Sequence, residues 1–181
     1  MIVAFDASFL LYLFAPAGDV GTPLDENEKP IEFAKQRVKA LFDALEASNT
    51  KIVIPTPALS EVMVRTGVEA GQTYMALMAK TKVFRIVPFD EKSAIELPLM
   101  YGLQRRGEGL KSADAGTYAK VKYDRQIVAI ACTEGCKTLY TDDQNQRKFA
   151  EKQGMKVIGL ADCPVPTEDA QMQLSLGSPA E

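Results

Sequence analysis

The strongest constraint on the fold is a rhythm. Short apolar runs alternate with longer stretches of helical periodicity. The runs are Ile2-Val3-Ala4-Phe5, Lys51-Ile52-Val53-Ile54, Val83 to Val87, Thr138-Leu139-Tyr140 and Lys156-Val157-Ile158. Each is too short for a helix and lacks the polar alternation of a half-exposed strand, so each reads as a buried strand. Strands separated by helices must pair in parallel, joined by right-handed crossovers. The expected fold class is α/β, a three-layer α/β/α sandwich with a central parallel sheet of about five strands.

Ser8 to Phe14 reads as a short helix stopped by Pro16 and Gly18, followed by a polar loop from Asp19 to Lys29. Pro30 stands where a helix would begin, and Phe33, Val38, Leu41, Phe42 and Leu45 follow with helical spacing. Pro55 and Pro57 end the second strand, and a helix follows with Ala58, Leu59, Val62 and Met63 on its apolar side. Asp90 caps a helix expected to run to about Arg106, where Gly107 and Gly109 break it. A helix around Ala113 to Val121 then precedes a second beginning near Asp124 and ending at Gly135, and Gln144 to Gln153 forms the last. The main folded unit is residues 1–160. Residues 161–181 form a C-terminal tail, irregular or wrapping the domain.

Function is narrowed first by an omission: the 181 residues include no histidine. Imidazole relays and imidazole acid/base pairs are therefore excluded. With three cysteines, Cys132, Cys136 and Cys163, tetrahedral zinc is disfavoured. Those cysteines form no C-x-x-C pair and read as reduced thiols. Hydrolytic chemistry must use carboxylates, lysine, tyrosine or a hard metal ion bound by oxygen.

The acids fall where such chemistry needs them. In an open α/β sheet, ligands bind beyond the carboxyl ends of the strands. Asp6 follows the first strand, and Asp142 and Asp143 follow the fourth. Glu61 lies in the first turns of the helix after the second strand. Asp124 is expected at the start of the helix before the fourth strand. Singly, Asp6, Asp124 and Asp143 read equally well as helix caps, and Glu61 as a solvated helical residue. Together they would crowd one sheet edge. Two like charges 4 Å apart repel by about 4 kcal/mol at an effective dielectric near 20. A hard divalent cation, Mg²⁺ or Mn²⁺, would relieve that repulsion, bridge to substrate phosphates and activate water.

The sequence resembles the PIN-domain ribonucleases, and within them the VapC-like toxins of type II toxin–antitoxin systems. The resemblance rests on four segments. Asp6-Ala7-Ser8 after the first strand is similar to the family's opening D-[TA]-[SN]. Ile54-Pro55-Thr56-Pro57-Ala58-Leu59-Ser60-Glu61-Val62 leads a strand and proline to a helical glutamate. Asp124-Arg125-Gln126-Ile127-Val128-Ala129-Ile130-Ala131 resembles a D-x-x-I-x-A-x-A helix, and Gly135 with Thr141-Asp142-Asp143 resembles the closing T-x-D strand. The resemblance implies an acidic quartet of Asp6, Glu61, Asp124 and Asp143. It makes Asp6 and Asp124 the principal metal ligands, with Asp143 or its neighbour Asp142 beside them. Ser8 and Thr141 would be nearby hydroxyls. Asp114 stands near Asp124 but lacks the I-x-A-x-A pattern after it. The Asp19–Lys29 insert and the tail depart from short toxins of this kind.

The implied partners are an RNA substrate, a possible cognate antitoxin and a second copy of the chain in a homodimer. The net charge of −3 sits uneasily with RNA, but its distribution matters more. Residues 162–181 hold four acids and no base, so residues 1–161 carry 21 bases against 20 acids. Setting the five site acids aside leaves an excess of six bases there. Arg105, Arg106 and Lys111, with Lys120, Lys122 and Arg125 around Asp124, are candidate phosphate contacts. Tyr12, Tyr101, Tyr118 and Phe14 are candidate base-stacking rings, with core packing the commoner role of such residues. Met75 to Met78 reads as core or a dimer face. The start, MIVAFDASFLLYLFAPA, lacks the positive flank of a signal peptide, and the uncharged run from Ala7 to Gly18 is too short to span a membrane. A cytoplasmic location with no membrane contact is expected.

The leading expectation is a metal-dependent endoribonuclease. The alternative is a catalytically inactive PIN scaffold that binds a protein partner or RNA. A haloacid-dehalogenase-like phosphatase would need an acid at position 8, where the chain has Ser8. A phosphoryl-accepting receiver would need an acidic pair ahead of Asp6.

Overall fold

The computed structural model describes residues 1–16, 18–25, 27–101 and 115–165, with only the backbone described over 115–122. Five strands form one parallel sheet: β1 (Ile2–Phe5), β2 (Lys51–Pro55), β3 (Phe84–Val87), β4 (Thr138–Tyr140) and β5 (Lys156–Ile158). Their order is β3-β2-β1-β4-β5. All five match the apolar runs read from the sequence. From β1 the chain builds outward to β2 and β3, then returns to the other side of β1 for β4 and β5. The strand order reverses between β1 and β4, and such a switch point opens a crevice at the strands' carboxyl ends.

Around the sheet lie α1 (Ala7–Phe14), α2 (Ala34–Ala47), α3 (Thr56–Thr66) and α4 (Val68–Ala79), then α5 (Glu91–Met100), α6 (Ala115–Thr133) and α7 (Gln144–Lys152). Helix α1 packs on α2 and α3, and α3 on α4, while α6 packs on α5 and α7. Right-handed crossovers in opposite directions from the switch point put these two groups on opposite faces. The result is a PIN-like three-layer α/β/α sandwich.

The central strands are dry. Val3, Ala4, Phe5, Ile52, Ile54 and Leu139 are fully buried. Phe5, Phe9 and Tyr140 form an aromatic triad with ring centroids 5.2–5.5 Å apart. It ties β1, α1 and β4 together directly beneath the switch point. Such tilted and edge-on contacts add to the area these rings bury.

Among the described residues, three helices start on aspartate caps. Asp6 accepts from Phe9 N at 3.1 Å, Asp90 from Ser93 N at 2.9 Å, and Asp143 from Asn145 N and Gln146 N at 2.8 and 3.0 Å. Each carboxylate satisfies amides that the first turn leaves open and complements the helix dipole. Gly135, with φ +73°, closes α6 in a left-handed conformation that suits glycine.

Three expectations need correction. Asp124 does not begin a helix: α6 is one continuous helix of 19 residues, and Asp124 lies in its middle. The stretch Val121-Lys122-Tyr123 contains no glycine or proline, so nothing there breaks the backbone ladder. Helix α2 begins at Ala34 rather than Pro30, because Pro30 pairs with Leu24 in an isolated bridge and Phe33 takes φ +58°. Helix α5 ends at Met100, short of Arg106. Helix α4 was not legible as a separate element. The polar insert is a built turn, with Asp25 Oδ1 accepting from Asn27 N and Lys29 N.

Substituting Phe9→Ala removes one ring of the triad. It is expected to destabilise the fold by about 3–5 kcal/mol, read as a lower urea midpoint with an unchanged m-value.

Candidate active site

Asp6 is the anchor of the site. It ends β1, caps α1 and is only 5% exposed. Its Oδ1 accepts from Ser8 Oγ at 2.6 Å and from Phe9 N; its Oδ2 accepts from Thr141 Oγ1 at 2.5 Å. Thr141 is fully buried and follows β4, and its Oγ1 also accepts from Asp143 N at 3.0 Å. One hydroxyl thus couples the carboxyl ends of β1 and β4 across the switch point.

Burial pushes the Asp6 carboxyl up to about 7. The bonds from Ser8, Thr141 and Phe9 N pull the other way, and the Asp142 charge adds a further upward push. Burial also raises Asp142, against the lowering effects of Leu160 N–H and Arg147. These are the shifts expected of acids crowded in a low-dielectric cleft.

All five predicted acids line one cleft of about 260 Å³: Asp6, Glu61, Asp124, Asp142 and Asp143, together with Ser8. Asp124 arrives there from mid-helix, 8% exposed, with Ile127 one turn on. Ser8 and Thr141 both hold Asp6. The acids do not yet point at one spot. Glu61 pairs with Arg65 at 2.7 Å. Asp142 Oδ1 accepts from Leu160 N at 2.7 Å, and Asp143 caps α7. Among the described residues, no three Asp, Glu or Cys side chains converge closely enough to hold an ion. Their local partners account for the spread.

The donor set nonetheless fits a hard divalent cation. It consists of carboxylate, hydroxyl and amide oxygens, with no soft ligand. A further sign is Gln146 at the start of α7. It is 2% exposed and lines the same cleft, and its Oε1 has no hydrogen-bond partner among the described residues.

Gln146 and Arg65 are the site residues that sequence reasoning missed. Arg65 had a signal, the E-x-x-x-R spacing that pairs residues one helical turn apart. Gln146 had none, because it sits in the polar run Gln144-Asn145-Gln146-Arg147.

The other candidates lie elsewhere. The Arg125 guanidinium stacks over Tyr101 and Phe149, 4.3 and 5.1 Å from the ring centroids. Phe14 stacks on Tyr74, and the Tyr12 hydroxyl donates to Gly21 O. Both are packing roles. Met78 is buried in the core and Met75 is partly exposed. Cys136 and Cys163 are buried free thiols, each pushed up to about 12 by burial. Arg105, Arg106, Lys111 and Asp114 fall outside the described residues, as do the side chains of Tyr118, Lys120 and Lys122 and the tail beyond residue 165. Among the described residues, no helix is long and apolar enough to cross a membrane.

Comparison with solved structures bears on the fold. One chain of the crystal structure of VapBC2 from Rickettsia felis, bound to a DNA fragment from their promoter, superposes with a TM-score of 0.54 at 16% identity. The match covers 88% of this chain and 98% of that one. Mycobacterium tuberculosis VapC20, a Sarcin-Ricin loop cleaving toxin, is similar at a TM-score of 0.47 and 14% identity, covering 82% of this chain and 94% of that one. No protein-family model matches the chain, and neither does any curated protein. The chain therefore has the fold of VapC-like PIN domains.

Asp6 binds its proton more tightly folded than unfolded. Folding of the metal-free protein therefore takes up a proton between about pH 4 and pH 7. The contribution of Asp6 to stability is full below that window and is lost as pH rises through it. Asp6→Asn is expected to flatten this decline in melting temperature, measured from pH 4 to 8. Thr141→Val removes a bond that favours the carboxylate, so the Asp6 midpoint should move up in a ¹³C-carboxyl NMR titration.

Proposed function

We propose that the chain is a Mg²⁺- or Mn²⁺-dependent endoribonuclease, a hydrolase of RNA phosphodiester bonds that acts as the toxin of a toxin–antitoxin pair. The observation that carries this reading is the single cleft lined by Asp6, Glu61, Asp124, Asp142 and Asp143 at the β1/β4 switch point of a histidine-free chain. The likeness to a VapBC2 chain supports the fold on which the reading rests.

In this reading Asp6 and Asp124 are the principal ligands of the cation, with Asp142 or Asp143 completing its carboxylate set. The cation would supply Lewis acidity, lowering the pKa of water and offsetting charge on the phosphate. The protein side of the reaction is positioning. Ser8 and Thr141 fix the Asp6 carboxylate from two directions. Glu61, half-exposed at the rim, is the acid with room to accept a proton from the attacking water. Arg65 beside it brings a guanidinium to the mouth of the cleft, where a substrate phosphate would pass. Lys122, Arg125, Arg105 and Arg106 remain weaker proposals for RNA contact, and the stacked position of Arg125 fits that role least.

The nuclease unit would span residues 1–160, with residues 161–181 as an appended tail. A cytoplasmic location, a cognate antitoxin over the acidic cleft and a homodimer complete the reading. Val64 and Val68, 82% and 67% exposed on α3 and α4, offer apolar surface for a second copy.

The test uses purified protein and structured RNA with Mn²⁺. Cleavage is expected with the metal, none with EDTA, and at least a hundredfold loss in Asp6→Asn and Asp124→Asn. Cleavage that survives chelation or either substitution contradicts the metal-nuclease reading. Binding of Mn²⁺ without cleavage of any RNA favours the inactive scaffold.

A further inference from the structure

The most anomalous side chain in the described structure is Gln146. It lies in the first turn of α7 and is 2% exposed, among the least accessible large residues of the protein. Its backbone N–H is already taken by the Asp143 cap at 3.0 Å. Its side-chain Nε2 donates to the Asp124 backbone carbonyl in a long contact of 3.5 Å. That carbonyl can only accept, so the amide nitrogen must face it. Oε1 is left as the opposite end of the amide, buried and with no partner among the described residues. The residue lines the acidic cleft together with Asp6, Asp124 and Asp143.

A buried carbonyl oxygen without a donor is destabilising, and an apolar residue of the same size would relieve the cost. Among the described residues of the cleft, the donors at hand are engaged elsewhere, Ser8 Oγ with Asp6 and Arg65 with Glu61, and the remaining polar neighbours are carboxylates. A cation is what such an oxygen can use. A neutral ligand also has a physical advantage here. It adds an oxygen to the coordination shell without adding a charge to five acids that already repel one another.

We propose that Gln146 Oε1 is a neutral oxygen ligand of the divalent cation in this cleft, joining Asp6 and Asp124. This rests on the metal-nuclease reading and extends it to a residue outside the acidic set. Gln146 would then trade folding stability for cation affinity.

That trade makes the test specific. Mn²⁺ alone is titrated calorimetrically into the full chain, and melting is followed in EDTA. Gln146→Met keeps the length and volume of the side chain but offers no hard ligand. It is expected to raise the metal-free melting temperature by about 2–4 °C and to weaken Mn²⁺ binding by tenfold to a hundredfold. Gln146→Glu, which keeps an oxygen at the same reach, is expected to bind Mn²⁺ at least as tightly as the native chain. Unchanged Mn²⁺ affinity in Gln146→Met overturns the proposal. So does a loss of affinity that Gln146→Glu fails to recover, because Gln146 would then only knit α7 to α6. Failure of the cation-site reading itself would appear instead in the native chain, as no Mn²⁺ binding at all.

Discussion

The structure turns on one buried carboxylate. Asp6 ends the central strand, caps the helix that follows and receives the hydroxyl of Thr141 from the neighbouring strand's end. Those three ties put it at the place where the strand order reverses. Burying a carboxylate is expensive even with three hydrogen bonds to it, and its raised pKa reflects that cost. The aromatic triad of Phe5, Phe9 and Tyr140 beneath it keeps water out and the two strand ends rigid. The fold thus spends core stability to hold a charge-bearing group where solvent cannot neutralise it.

The other acids extend the same logic with different degrees of commitment. Asp124 reaches the cleft from the middle of a continuous helix, so its backbone is as fixed as that of Asp6. Asp142, Asp143 and Glu61 are each occupied locally, by Leu160 N–H, by the start of α7 and by Arg65. These contacts satisfy lone pairs while the charges stay apart. The Arg65–Glu61 contact is solvent-exposed, so side-chain rotation breaks it at small cost. Two fixed carboxylates beside an adjustable one would suit the proposed cation site, which would have to exchange water and substrate.

Much of this was legible in the residues, and the exceptions have physical reasons. The five strands could be read because each apolar run is bounded by proline, glycine or acid. The acids could be read because they follow strands, and strand ends in parallel sheets share an edge. The continuity of α6 was misread because Asp124 looks like a cap, and a cap is its commonest role; what decides is the absence of a breaker before it. Helix α4 follows α3 after a single glycine, Gly67, with too little apolar contrast to separate the two. Gln146 was invisible because its burial depends on how α7 packs against α6, which no local pattern encodes. The Asp19–Lys29 insert read simply as polar loop, while its Asx turn and the bridge from Leu24 to Pro30 make it a defined structure.

The central claim is that the cleft at the β1/β4 switch point is a cation centre. Crystals grown with Mn²⁺ and measured near the manganese absorption edge would test it most directly. The account predicts an anomalous peak within about 2.5 Å of carboxylate oxygens of both Asp6 and Asp124. It also predicts that Asp142 or Asp143 has turned from its local partner toward the ion. Crystals saturated with Mn²⁺ that show no peak in this cleft, or a peak bound only at the protein surface, would contradict it.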